Sequence, residues 1–304
     1  MEPSDYRSLP TELVPIGSRE GFRALMSVAG HYFPDDTYGT GPRSIVDVHD
    51  TYHLTHENVV LTCYFNMRRD PQRNMRQKSD NFEYIRPWYD SMKRLGLHGI
   101  IFYDRLSEGF VKRYQTDRII FKRCVYGGYS LNDERFFMYY LYLSANPYRR
   151  VFMTDVSDIV IKKDPFVLVT DPERLCVGDE AGMLVDNSWC QRQSTLLFNS
   201  LAKRYRTDFS THFMQMPCYN AGVIGGEYKM VMFLLANMIS IFNQVDNNLN
   251  NDMMVLHLVI FLTMFYDYTG RGGDRVTTHI MAGYPLTSGF KKYEVDADVY
   301  FVHK

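Results

Sequence analysis

The stretch "RRVFMTDVSDIVIKKDPF", Arg149 to Phe166, begins as a β-strand: Val151, Phe152 and Met153 are consecutive apolar residues suited to a sheet interior. Two carboxylates, Asp155 and Asp158, arrive where the apolar side chains run out. A second short apolar run, "IVI", follows before the chain turns at "DPF".

Working outward, the same strand-then-helix rhythm repeats. "NVVLTCYFN" (58 to 66) is a β-rich run, and "NFEYIRPWYDSMKRLGL" after it has the apolar spacing of a helix ending near Gly96. "HGIIFYD" (98 to 104) and "DRIIFKRC" (117 to 124) read as strands, and "NDERFFMYYLYLSA" (132 to 145) as a helix. Strands alternating with helices predict an α/β fold with a mixed, mostly parallel sheet flanked by helices. Residues 1–57 are less regular and are expected to be an extension packed on a main domain of residues 58–304. In an open sheet of this kind ligands gather outside the carboxyl ends of the strands, where the strand order reverses. Asp155 and Asp158 are placed at such an end. They form either a polar turn or a pair that shares one hard divalent cation and, through it, a diphosphate.

Composition narrows the classes. The 304 residues are 45% hydrophobic and 23% charged with a formal net charge of -1, so nothing suggests a nucleic-acid partner or a polybasic membrane segment. No apolar run reaches the length of about eighteen residues that a membrane span needs, and none of signal-peptide type opens the sequence, so no transmembrane segment and a cytoplasmic location are expected. Five cysteines without a CxxC pair fit reduced thiols.

Other residues can be given roles on chemistry alone. Thr62, Tyr64 and Asn66 end the first strand and can hold a uracil-like base, although Tyr64 is equally a core residue. Asp104 ends its strand either as a turn residue or as a partner for base or ribose. Arg135 can pair with phosphates, hold Asp155 in place, or lie on a solvated helix face. In "CYNAGVIGG" (218 to 226), Ala221 and Gly222 leave room for a sugar beside Asn220, or the glycines mark a bulge. Asp252 begins a helix, where a cap is the role that chemistry alone gives it. His303, in "VYFVH", is a surface residue or a metal ligand; two carboxylates and an imidazole favour Mn2+ over Ca2+.

"VFMTDVSDIVIKKDPF" resembles the metal-binding segment of GT-A fold glycosyltransferases, in which a strand ends in a DxD-type motif. "CYNAGVIGG" resembles that family's Asn-Ala-Gly strand, "NNDMMVLHLVI" its helix with an acidic residue beside the sugar, and "GYPLTSGF" with "VYFVHK" a C-terminal segment ending in a metal-binding histidine. The resemblance covers roughly residues 58 to 304 in order, and is similar in particular to small transferases of algae, protists and large algal viruses. It departs in spacing: Asp155 and Asp158 are separated by two residues, and counting back from Pro165 aligns Asp158 with the family's second aspartate. The resemblance implies a UDP-sugar donor, a glycan acceptor, and Mn2+ (or Mg2+) held by Asp158, Asp155 and His303. It makes Asp252 the first and Glu180 the second candidate for the catalytic carboxylate, and sets His279 and Tyr284 on the acceptor side. A nucleotidyltransferase would also use a nucleotide fold and an acidic metal site, but the loop "MRRDPQRNMRQK" contains no glycine to wrap a triphosphate. A non-catalytic nucleotide-sugar-binding domain of the same fold is the other alternative.

Overall fold

A computed structural model describes residues 42–71, 74–201, 213–243, 245, 249–267, 276–277, 280–282, 287–289 and 298–303. The main sheet has eight strands in the order β1-β4-β3-β2-β5-β8-β7-β11. These are β1 (Ser44–Ile45), β2 (Asn58–Tyr64), β3 (Gly99–Tyr103), β4 (Ile119–Val125), β5 (Arg150–Thr154), β7 (Leu175–Met183), β8 (Pro217–Glu227) and β11 (Ile280–Ala282). The block β4-β3-β2-β5 is parallel throughout, and β8 lies antiparallel to both β5 and β7. The fold is therefore α/β with a mixed, mostly parallel sheet.

The continuous apolar runs of the parallel strands follow from burial on both faces. In β2, Val59 and Leu61 enter one hydrophobic cluster while Val60 and Tyr64 enter the other; in β5, Val151 and Met153 separate from Phe152 in the same way. Helices α2 (Phe82–Leu95) and α3 (Glu108–Tyr114) cover one face, through Ile85, Trp88, Met92 and Phe110. Helices α4 (Leu131–Ala145), α6 (Tyr228–Phe242) and α7 (Asp252–Thr263) cover the other. Helix α2 stops where Gly96 takes a left-handed φ of 63°, a conformation open to glycine at little cost.

Part of the segment expected to be an extension is built into this sheet. Strand β1 pairs antiparallel with β4 at the sheet edge. Beside it, Arg43 makes a two-pronged ion pair with the buried Glu134, at 2.7 and 2.8 Å. The helical turn α1 (Tyr52–Thr55) follows.

The opening stretch is bent across two sheets. Strand β5 lies inside the main sheet, whereas β6 (Ile159–Ile161) joins a three-stranded sheet in the order β12-β13-β6, with β12 (Thr287–Gly289) and β13 (Phe301–His303). Asp164 Oδ1 accepts from the backbone N of Phe166 at 2.9 Å and caps the "DPF" turn. A short pair, β9 (Phe265–Asp267) with β10 (Val276–Thr277), stands apart. Helix α5 (Ser188–Leu201) lies between β7 and β8 in the chain.

A candidate metal centre in the sheet cleft

The strand order reverses between β2 and β5: from β2 the chain moves outward through β3 to β4, then returns to lay β5 on the other side of β2. A cleft of about 800 Å³ opens at the carboxyl ends of these strands, the position expected for ligands in an open α/β sheet. Cys63, Phe65, Thr154, Asp155, Ser157 and Asp158 line it from β2 and the β5–β6 turn; Asn220, Ala221, Gly222, Asp252 and His303 complete its floor.

Within the cleft, Asp155, Asp158 and His303 each offer a ligand atom, all within 4.8 Å of one another, and the group could hold a metal ion. His303 Nε2 stands 3.6 Å from Asp155 Oδ2 and 3.8 Å from Asp158 Oδ1. Local pairing explains the convergence. The backbone N of Asp155 donates to Gly222 O at 2.9 Å, continuing the β5–β8 ladder past the end of β5. His303 is in register with Ile159, the residue after Asp158, because β13 runs antiparallel to β6. The C-terminal strand thus returns to β6 in the small sheet, and not to the edge of the main sheet. In the two-residue interval, Val156 is buried against the apolar core and Ser157 is half-buried, and both line the cleft.

Gly222 leaves the space in the middle of this group. A Cβ there would lie 2.5 Å from His303 Cε1 and 2.8 Å from both Asp155 Oδ2 and Asn220 Oδ1. Burial lowers the pKa of His303, Asp158 raises it and Arg135 lowers it, and the net direction is downward. The neutral imidazole this favours is the form that ligates metals. Two carboxylates and a neutral imidazole around a glycine-made gap fit a divalent transition metal or Mg2+.

Arg135, on α4, ties the acidic groups together. It is buried, forms an ion pair with Asp155, donates to Asp252 Oδ2 at 2.8 Å and to Ala221 O at 3.2 Å. Of the roles open to this residue in the sequence, holding Asp155 is the one the structure displays. Asp252 is the first residue of α7 and Asn251 precedes it as the cap position. With Oδ2 engaged by Arg135, Asp252 Oδ1 is buried without a hydrogen-bond partner among the described residues. Asp155, Asp158 and Asp252 place three carboxylates here against the guanidinium of Arg135, an excess of negative charge that attracts a cation. Glu180, from β7, accepts from Asn220 Nδ2 at 2.7 Å, and Asn220 Oδ1 accepts from Gly222 N at 2.5 Å. Glu180 therefore belongs to the same wall of the cleft.

Two buried residues unmarked in the sequence position α7. Asp133 receives the backbone N of Asn251 at 3.1 Å, and burial, then the nearby Asp252 carboxylate, hold its pKa well above the usual carboxylate range. His257 Nε2 accepts from Tyr219 N at 2.9 Å while Nδ1 donates to Met253 O at 2.6 Å, so the neutral Nδ1-H tautomer bolts α7 to β8 next to Asn220. Asp133 carried a faint signal in "SLND", the start of a helix cap.

Other expected donor-binding residues sit elsewhere. Thr62, Tyr64, Asn66 and Asp104 do not line the cleft; it is Cys63 and Phe65, one residue out of phase, that do. Thr62 Oγ1 donates to Thr154 O at 2.9 Å, and Tyr64 packs in the core. Asp104 accepts from Asn66 N at 3.0 Å, Met67 N at 2.8 Å and the Tyr126 hydroxyl at 2.8 Å, and Asn66 Nδ2 donates to Arg105 O at 2.9 Å. Asp104 and Asn66 thus bind each other's loops and staple the ends of β2 and β3. His279 and Tyr284 lie outside the described residues. Tyr84, Trp189, Arg192 and Gln193 line the cleft without having been marked; Trp189 had a signal in being one of two tryptophans, set in the polar run "DNSWCQRQS".

Fold and cleft together define an α/β protein with an Asp-Asp-His group at the switch point of its sheet. No protein-family model matches the chain, and a search of curated proteins finds no significant relative. No helix among the described residues is long and apolar enough to cross a membrane.

Proposed function

We propose that the protein is a metal-dependent glycosyltransferase of GT-A type that moves a sugar from a UDP-sugar donor to a hydroxyl of a glycan acceptor. The observation that carries this reading is the meeting of Asp155, Asp158 and His303 around Gly222 at the sheet's switch point. These three residues would hold Mn2+ (or Mg2+). When bound, such an ion supplies charge neutralisation for a departing diphosphate.

The chain's own groups account for the rest. Arg135 fixes the Asp155 and Asp252 carboxylates, so neither must be ordered when donor arrives. Asp252 keeps Oδ1 for the donor sugar's hydroxyls or, in an inverting reaction, for the acceptor proton. Glu180, which also accepts from Asn220 Nδ2, is the second candidate to accept that proton. Gly222 and Ala221 let the sugar approach backbone closely.

Screening UDP-sugars for slow hydrolysis in Mn2+ tests the reading without knowledge of the acceptor. The expected outcome is UDP release from at least one donor, abolished by a chelator. Donor binding without hydrolysis or transfer would indicate a non-catalytic nucleotide-sugar-binding domain. Nucleoside triphosphate turnover with no UDP-sugar turnover would indicate a nucleotidyltransferase.

A further inference from the structure

The cleft has a second chemical character on the side of β7 and α5. Of the two tryptophans, Trp88 is fully buried and its Nε1 donates to Thr154 Oγ1 at 2.9 Å. Trp189 is half-buried and lines the cleft, and its indole N–H has no hydrogen-bond partner among the described residues. Residues spaced by three and four share a helix face, which brings Arg192 and Gln193 beside Trp189 on α5, and both also line the cleft. Among the described residues neither side chain has an ion-pair or hydrogen-bond partner.

This wall is firmly held. Asn187 Oδ1 accepts from the backbone N of Trp189 at 3.0 Å and of Cys190 at 3.2 Å, fixing the first turn of α5. Cys190 Sγ lies 3.7 Å from Cys218 Sγ, and Cys218 Sγ lies 3.8 Å from Glu180 Oε2. The indole is therefore carried on a turn that packs directly against the strand bearing Asn220 and beside Glu180. An aromatic face beside a planar amide, a guanidinium and a carboxylate suits a ring with an apolar C–H face and a rim of hydroxyls. Aromatic faces attract such polarised C–H surfaces, and the fork-shaped donors match vicinal hydroxyl pairs.

We propose that Trp189, Arg192 and Gln193 form the acceptor subsite: a pyranose ring stacks on the Trp189 indole, its hydroxyls bond Gln193 and Arg192, and the hydroxyl to be glycosylated points at Glu180. The designation as acceptor site rests on the glycosyl-transfer reading above; the sugar-binding platform stands on its own geometry.

The test uses the full chain labelled with 15N-tryptophan, which gives two indole N–H signals. The probes are methyl glycosides of glucose, galactose, mannose, N-acetylglucosamine and glucuronic acid, titrated singly, with UDP plus Mn2+ titrated separately. At least one glycoside should shift the Trp189 signal saturably and leave Trp88 in place. Trp189→Ala should weaken that glycoside about tenfold by saturation-transfer titration, and Gln193→Ala about threefold, with the Trp88 signal at its wild-type position reporting an intact fold. A Trp189 signal unmoved by every glycoside overturns the proposal. So does a Trp189 signal that responds to UDP alone, which would make the indole a base platform. Failure of UDP and Mn2+ to bind, with glycoside shifts intact, would sink the glycosyl-transfer reading and leave the sugar platform standing.

Discussion

Replacing Gly222 by alanine inserts one methyl group at the centre of the Asp-Asp-His group. Its carbon would stand 2.5 Å from His303 Cε1 and 2.8 Å from Asp155 Oδ2 and Asn220 Oδ1. Carbon atoms in ordinary contact sit about 3.5 to 4.0 Å apart, so the imidazole must retreat by roughly 1 Å. It has little freedom to do so, since β13 is paired with β6 and the ring is buried. Metal ligands tolerate displacements of about 0.2 Å, and disturbing a ligand's support weakens affinity about 10- to 100-fold. Overpacking of this size costs about 1–3 kcal/mol of stability, which leaves the protein folded. Calorimetric titration with Mn2+ in the presence of UDP, alongside urea unfolding, separates the two effects. The expected result is a modest fall in unfolding midpoint and at least a tenfold loss of apparent metal affinity. Gly222→Ala with metal affinity within twofold of wild type would refute the argument that this gap is the ion's seat.

Asp158→Ala should nearly abolish Mn2+-assisted UDP binding while the fold survives; a calorimetric affinity within twofold of wild type removes Asp158 from the site. His303→Ala should lower both the apparent Mn2+ affinity and the rate of donor hydrolysis, and an unchanged Mn2+ titration would make it a structural residue. Asp104→Asn should act on stability and not on donor binding: a carboxylate accepting from three donors becomes an amide facing donors, at about 2 kcal/mol, and weakened UDP affinity without a lower melting temperature would restore its expected role at the ribose. Acid should loosen the protein through His98 and His257, whose pKa values burial pushes down to about 4. Because each folded-state pKa lies below the unfolded value, about 6.5, their contribution is complete above pH 6.5 and is lost as pH falls from there toward 4. The slope is about 1.4 kcal/mol per pH unit for each histidine, and equal urea midpoints at pH 6.5 and pH 5 would contradict it.

The sequence alone determined the strands β2 to β5 and the helices α2 and α4 between them, in their order, because a strand or helix of this kind is written in local periodicity and in its stop signals. The apolar runs, Gly96 at the end of α2 and the capped "DPF" turn were all legible, as was the arrival of Asp155 and Asp158 at a strand end. Which face of β2 looks into the cleft was not legible. A parallel strand buried on both sides shows no alternation of apolar and polar positions, so nothing local distinguishes the face of Thr62, Tyr64 and Asn66 from that of Cys63 and Phe65. Asp104 and Asn66 looked like ligand-binding groups because a strand-end carboxylate has the same local signature whether it meets a ribose or the backbone of a neighbouring loop. Tertiary structure decided that they meet each other. It decided as well that His303 stands beside Asp158, through the antiparallel pairing of β13 with β6, and that Asp133 and His257 hold α7 where Asp252 meets Arg135. These are contacts between segments distant along the chain, and side-chain chemistry at a point of closure depends on the path of the backbone between them, which no local pattern encodes.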